Sequence, residues 1–224
     1  FKDNYKFEDL VEIVSVLRSE NGCDWDKEQT HKSIRQGFIE EVYEAAEAID
    51  TENSELLCEE LGDVLLQVVF HARISTEEGD FGIDDVCDGI CKKLIYRHPH
   101  VFGDVKVKNS AEILENWDAL KKTEKHQVSA ADELEAVARS LPALMRTQKI
   151  IKRARKAGVM EKDENVAIDG ITAAANSLRE TSDRKKALTD LLFATCAALQ
   201  NEGLDGEELL YSRCEEIIRE QKEK

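Results

Sequence analysis

The sequence predicts an all-α protein, and three observations carry that expectation. Its 224 residues include two prolines, Pro99 and Pro142, so few positions forbid a helix. Ala, Leu, Glu and Lys, all good helix formers, dominate long segments. Within those segments apolar residues recur at three and four, the period of a helix with one buried face. In chain order, helices are expected over roughly 6–20, 32–50, 53–78, 83–98, 110–124, 132–157, 164–181, 184–202 and 206–222. The breaks fall at NGCDWD, TEN, EEGDFG and HPHVFGD. In the last of these Pro99 cannot continue a helix and Gly103 permits a turn. A junction is expected at KHQVSAAD, near 125–132, giving domains 1–128 and 129–224.

Composition narrows the class. Asp and Glu total 47 against 31 Lys and Arg, a formal charge of -16. That field opposes docking on nucleic acid or an anionic membrane, and an anionic substrate would need metal or local cations. No run approaches the roughly 20 apolar residues of a membrane span, and the start FKDNYKFEDLVEIV lacks the pattern of a secretory leader. A cytoplasmic protein with reduced thiols is expected. Its six cysteines show no zinc-ligand spacing, and Cys87 and Cys91, one helical turn apart, are expected as a buried inert pair. The first residue is Phe rather than Met, which makes the chain a candidate fragment of a longer protein.

An internal repeat links the two halves. Setting ELGDVLLQVVFHARISTEEGDFGIDDVCDGICKKLIYR against ALTDLLFATCAALQNEGLDGEELLYSRCEEIIRE aligns Asp63 with Asp190 and matches the apolar rhythm. The charges do not repeat: Glu60 falls opposite Ala187, and Lys93 opposite Glu216. Any carboxylate chemistry therefore belongs to the first half.

On the helix expected at 32–50, Phe38, Val42, Ala45 and Ile49 form an apolar stripe, with Glu41 and Glu44 beside it and about 60° apart. The next helix repeats the layout, with Leu61, Leu65, Val68 and Ala72 as the stripe and Glu60 and Asp63 on its flank. The short TENSE connection makes the two antiparallel neighbours, so packed stripes would bring Glu41, Glu44, Glu60 and Asp63 together. Ionised carboxylates at that spacing repel, shift their pKa values or hold a cation. Hard oxygen ligands suit magnesium, with manganese as a substitute. Singly, each pair describes a solvated helix face; two pairs on adjacent helices balance that reading against a metal cage. Di-iron chemistry is disfavoured, because it calls for Glu-x-x-His and His71 lies eight residues beyond Asp63. Lys93 and Arg97 stand one turn apart, as do Trp117 and Lys121. Each pair reads either as a helix end and a core Trp, or as cations and a ring placed for a nucleotide.

The pattern E-E-x-x-E followed by E-x-x-D, here Glu40, Glu41, Glu44, Glu60 and Asp63, resembles that of the MazG-type nucleoside triphosphate pyrophosphohydrolases, within the all-α NTP pyrophosphatase group. The resemblance extends to GCDWDKEQTHKSIR, LLQVVFHARI, RHPHVFGD and ENWDALKK, and weakly to ARSLPALMRTQKIIKRARKAGV. It implies a four-helix-bundle-like catalytic unit, followed here by a second, degenerate helical repeat for packing, dimerisation or regulation. It further implies magnesium on Glu41, Glu44, Glu60 and Asp63, and nucleotide contacts from Lys93, Arg97, Trp117 and Lys121. The implied reaction is hydrolysis of a nucleoside triphosphate between its α and β phosphates, in clearing the nucleotide pool. Glu40 is placed to orient or deprotonate water, with a ligand carboxylate as the alternative base. Asp24 stands where the family usually has Pro. The rival expectation is a helical interaction module that keeps the fold without catalysis. Apolar residues beyond one stripe (Ile34, Ile39, Ala46, Val64, Leu66, Val69) call for a partner surface, and a homodimer is favoured over cover by the second half.

Overall fold

A computed structural model describes residues 2–124 and 129–222, and every regular element among them is helical. In order these are α1 (Phe7–Leu17), α2 (Asp24–Glu28), α3 (Arg35–Asp50), α4 (Ser54–Glu78), α5 (Ile83–Arg97), α6 (Pro99–Phe102), α7 (Ser110–Glu124), α8 (Ala130–Glu135), α9 (Ala143–Lys156), α10 (Glu164–Glu180), α11 (Arg184–Glu202) and α12 (Gly206–Lys222). The chain divides into two compact units, Phe1–Ile113 and Leu114–Lys224, within α7. Part of the junction expected from sequence, 125–128, lies outside the described residues.

The first unit is built on α4, which packs against α3, α1 and α5. The turn from α3 to α4 is tight: Glu52 takes a left-handed φ of 52°, and the Asn53 side chain caps α4 by accepting from the Leu56 amide at 3.2 Å. A core of Val14, Ile34, Val69, Phe70 and Ile74 joins α1 to α4, with Leu10, Val11, Leu66 and Ile83 around it. Arg18, at the end of α1, locks this arrangement. Its side chain, 5% exposed, donates through Nε to both Glu77 oxygens at 3.1 and 3.2 Å and through Nη2 to Oε2 at 2.7 Å. Nη1 donates to the carbonyls of Asp26 and Gln29, so one guanidinium holds α1, α4 and the end of α2. It also lies 5.2 Å from the centre of the Phe70 ring. The connection from α1 to α2 turns tightly against the end of α1: a Cβ on Gly22 would sit 2.1 Å from the Leu17 carbonyl oxygen, which only glycine avoids. Asp24 opens α2 and pairs with Lys27 at 2.8 Å. The first position of a helix suits Pro and Asp alike, which accounts for the exchange.

In the second unit α10 packs on α11, and α9 on α11, α12 and α8. Ile151, Ala167, Cys196 and Ala197 form its core. Buried Gln148 donates to the Leu204 carbonyl at 2.7 Å and accepts from the Gly206 amide at 3.0 Å, pinning the turn between α11 and α12. That turn echoes the first unit: Gly79 after α4 and Gly203 after α11 have φ of 80° and 72°, and Gly82 and Gly206 stand at the starts of α5 and α12.

Three expectations change. The single helix expected over 132–157 is two, α8 and α9, because Pro142 takes ψ 145° at the start of α9 and bars helix before it. The contact between α3 and α4 runs along Ala45 and Ala48, whose small side chains let the helices close; Val42, Ile49, Leu61 and Leu65 flank it at 50%, 60%, 53% and 40% exposure. Cys87 and Cys91 are exposed rather than buried, since most of α5 is left uncovered in the single chain.

Replacing Arg18 with Ala should lower stability by about 2 kcal/mol, the scale of lost charge-assisted hydrogen bonds. Arg18 holds the Glu77 carboxyl below its ordinary range, with Arg73 assisting. The contribution is therefore present above the ordinary glutamate range and disappears as pH falls through the lowered value. Thermal melts of wild type and Arg18→Ala should differ at neutral pH and converge on acidification.

Candidate metal centre

Glu41, Ala45 and Ala48 share the face of α3 turned to α4, where both alanines are buried. On α4, Glu60 is buried, at 9% exposure, and Asp63 one turn on is half-buried. The same small-residue contact that closes the helices thus carries carboxylates into it. One oxygen each from Glu41, Glu60 and Asp63 lie within 4.8 Å of one another. Burial raises the pKa of Glu41, and Asp63, Glu44 and Glu40 push it further. Burial raises Glu60 too, with Glu44, Asp63, Glu59 and Glu41 adding to it. Every one of these influences disfavours the ionised form, the signature of a site that gains by taking up a cation. An all-carboxylate donor set fits a hard divalent ion and not a soft one.

Of the four expected ligands, these three meet closely, and Glu44 is exposed beside them, near enough for its charge to raise the Glu41 pKa. Glu40 is exposed, and one of its oxygens accepts from Gln36 Nε2 at 3.1 Å. Lys93 is exposed on α5, whereas Arg97 in the last turn is buried and engaged with its surroundings. Trp117 and Lys121 are half-buried on α7, in the second unit. The cage itself therefore comes from α3 and α4.

The sequence reading missed a polar pair that joins α4 to the turn before α3. His31 Nδ1 and His71 Nδ1 are 2.7 Å apart, and His31 Nε2 lies 3.1 Å from Ser75 Oγ. Phe38 of α3 tilts against the His71 ring at 5.5 Å. The two histidines are 40 residues apart, so no local spacing announces them. The detectable signal is His71 itself, a histidine on α4 eight residues beyond Asp63 and too far along the helix to join its carboxylates.

The sequence profile of the MazG nucleotide pyrophosphohydrolase domain matches residues 29–102, which contain the carboxylate cluster, Lys93 and Arg97. The chain is 39% identical over 219 residues to a nucleoside triphosphate pyrophosphohydrolase of Escherichia coli (strain K12), covering 94% of this chain and 83% of that protein. It belongs to the MazG nucleotide pyrophosphohydrolase family. Similarity extends to the nucleoside triphosphate pyrophosphohydrolase/pyrophosphatase MazG of Thermotoga maritima, 41% identical over 84% of this chain and 73% of that one. An uncharacterized protein YabN of Bacillus subtilis is 50% identical over 66% of this chain, a match that spans 30% of YabN's length. This MazG-family chain is thus a hydrolase by kinship, as its sequence motifs imply.

The raised carboxyls give a stability test. A carboxyl whose folded pKa is raised favours folding when protonated, an advantage present at low pH and lost as pH rises through the raised value. Metal-free Glu60→Gln should therefore melt no lower than wild type at neutral pH, and the two should converge in mild acid. Divalent cation should raise the melting temperature of wild type and not of the variant.

Proposed function

We propose that this MazG-family chain hydrolyses nucleoside triphosphates to the monophosphate and pyrophosphate, using magnesium on Glu41, Glu44, Glu60 and Asp63, in clearing the nucleotide pool. The convergence of Glu41, Glu60 and Asp63 on the α3–α4 contact carries this reading. Names of its relatives, nucleoside triphosphate pyrophosphohydrolases, agree with it. Bound there, a divalent cation supplies charge neutralisation and water activation. Glu40, steadied by Gln36, orients the water whose oxygen bonds to the α-phosphorus as the bond to the α–β bridging oxygen breaks and pyrophosphate leaves. Lys93 and Arg97 take phosphate charge, with Trp117 and Lys121 as further nucleotide contacts. The second half acts in packing, dimerisation or regulation, because Ala187 stands where the repeat would need Glu60.

The rival, a silent helical module, has no observation in its favour within the first unit, where each motif carboxylate is retained. Pyrophosphate release from a panel of triphosphates decides between them. Magnesium-dependent turnover is expected, with Glu41→Gln and Asp63→Asn losing about a thousandfold, an oxyanion-scale loss of charge stabilisation. Lys93→Ala should raise KM while leaving magnesium affinity unchanged. No turnover on any triphosphate would favour the module.

The assembly is a homodimer in this reading. Val42, Ile49, Leu61 and Leu65 stay exposed beside the cage, and Ile90 and Leu94 of α5 extend apolar surface at 45% and 42% exposure. Such surface calls for cover, and a self-complementary pairing supplies it. Light scattering should give a dimer for the full chain and a monomer for Leu65→Glu; a monomeric wild type would overturn it.

A further inference from the structure

The histidine pair is more specific than a buried polar contact. The rings are parallel within 5°, with centroids 5.0 Å apart, yet their Nδ1 atoms are 2.7 Å apart. Stacked faces cannot bring nitrogens that close. The centroid separation matches the nitrogen distance plus the two ring radii, so the imidazoles lie edge to edge in nearly one plane, joined by an in-line hydrogen bond. One Nδ1 must carry the proton and the other accept it.

That requirement couples the tautomers. In one state His31 Nδ1–H donates to His71, the Ser75 hydroxyl donates to His31 Nε2, and His71 Nε2–H is offered as a donor. In the other, His71 Nδ1–H donates to His31, His31 Nε2–H donates to Ser75 Oγ, and His71 Nε2 is offered as an acceptor. One proton crosses between the Nδ1 atoms, solvent takes one from His71 Nε2 and returns one to His31 Nε2, and the charge is unchanged. Burial first, and then the neighbouring His31, hold the His71 pKa down, which favours the neutral His71 ring. Glu78 is 3.7 Å from His31 Nε2 and Arg35 lines the same groove, while Ser75 of α4 completes the polar surroundings.

The pair lines a groove of about 390 Å³ with Arg35, Phe38, Val68, Phe81 and Val86. Flat rings and aliphatic walls suit a planar heterocycle. His71 lies eight residues past Asp63 on α4, about 12 Å along the axis, and shares the α4 face of Glu60 to within about 20°. The groove and the carboxylates thus stand in line on one helix pair, a nucleotide's length apart. We propose that His71, backed by His31 and Ser75, reads the exocyclic group of the substrate's nucleobase in this groove and meets either a donor or an acceptor by switching tautomer. The inference rests on the nucleotide hydrolysis proposed above and adds where the base is read and why bases of opposite polarity fit.

The test measures kcat and KM for ATP, CTP, GTP and UTP, with inorganic triphosphate as a base-free competitor. His71→Phe keeps the ring and removes the nitrogens. It should raise KM about tenfold for the nucleotides, the value of one hydrogen bond, with kcat nearly kept and inhibition by inorganic triphosphate unchanged. Ser75→Ala removes the hydroxyl from both states, but in the second Glu78, 3.7 Å from His31 Nε2, remains as a negative partner for its N–H, so His71 Nε2 is biased towards accepting. The amino groups of adenine and cytosine should then be preferred, with KM for GTP and UTP rising about threefold relative to ATP and CTP. An equal loss of affinity for inorganic triphosphate, or no change in any KM for His71→Phe, would overturn the proposal. Ser75→Ala acting alike on all four would overturn the tautomer switch, and it stands as the test should His71→Phe fail to fold. A wild type without turnover would instead sink the hydrolase reading beneath it.

Discussion

Repulsion among carboxylates held in the contact between α3 and α4 governs the first unit. Ala45 and Ala48 let the two helices close, and the same closeness forces Glu41 and Glu60 out of water and onto Asp63. Alone, that arrangement weakens the fold, because buried like charges are costly. The unit tolerates it through contacts made elsewhere on α4: the Val14, Val69 and Ile74 core and the Arg18–Glu77 clamp fix the helix from its other end. The core contacts and the carboxylate cluster thus occupy opposite ends of one helix.

Much of this was legible before any coordinates. The all-α class follows from scarce proline and apolar periodicity, and the carboxylates follow from motif and spacing. Helix packing was read less well. Periodicity marks which residues are apolar but does not say which of two apolar faces meets the neighbour, and the alanines won because they allow closer approach than Val42 or Leu65. The displaced stripe is what remains for another surface to cover. Arg18 and the His31–His71 pair were invisible for a different reason: each joins residues tens of positions apart, and charge or imidazole alone does not announce a partner.

The two units show how little separates a charged site from a packing contact. Ala187 of α11, at the position aligned with Glu60, is buried at 3% exposure in a unit where α10 packs on α11, as α3 packs on α4 in the first. An alanine there relieves the repulsion and keeps the helices together. Asp190, aligned with Asp63, is exposed. A lone carboxylate facing solvent needs no counter-ion.

The tight Thr51–Asn53 turn has a consequence for synthesis. Because it joins α3 directly to α4, Glu41, Glu60 and Asp63 meet across a loop of about twenty residues, and closing so short a loop is fast and costs little entropy. The hairpin can pair while the later helices are still being translated, since domains fold as units from the N-terminus. In a nascent chain these carboxylates would thus meet before the helices that follow them have emerged, where ambient cations can neutralise them.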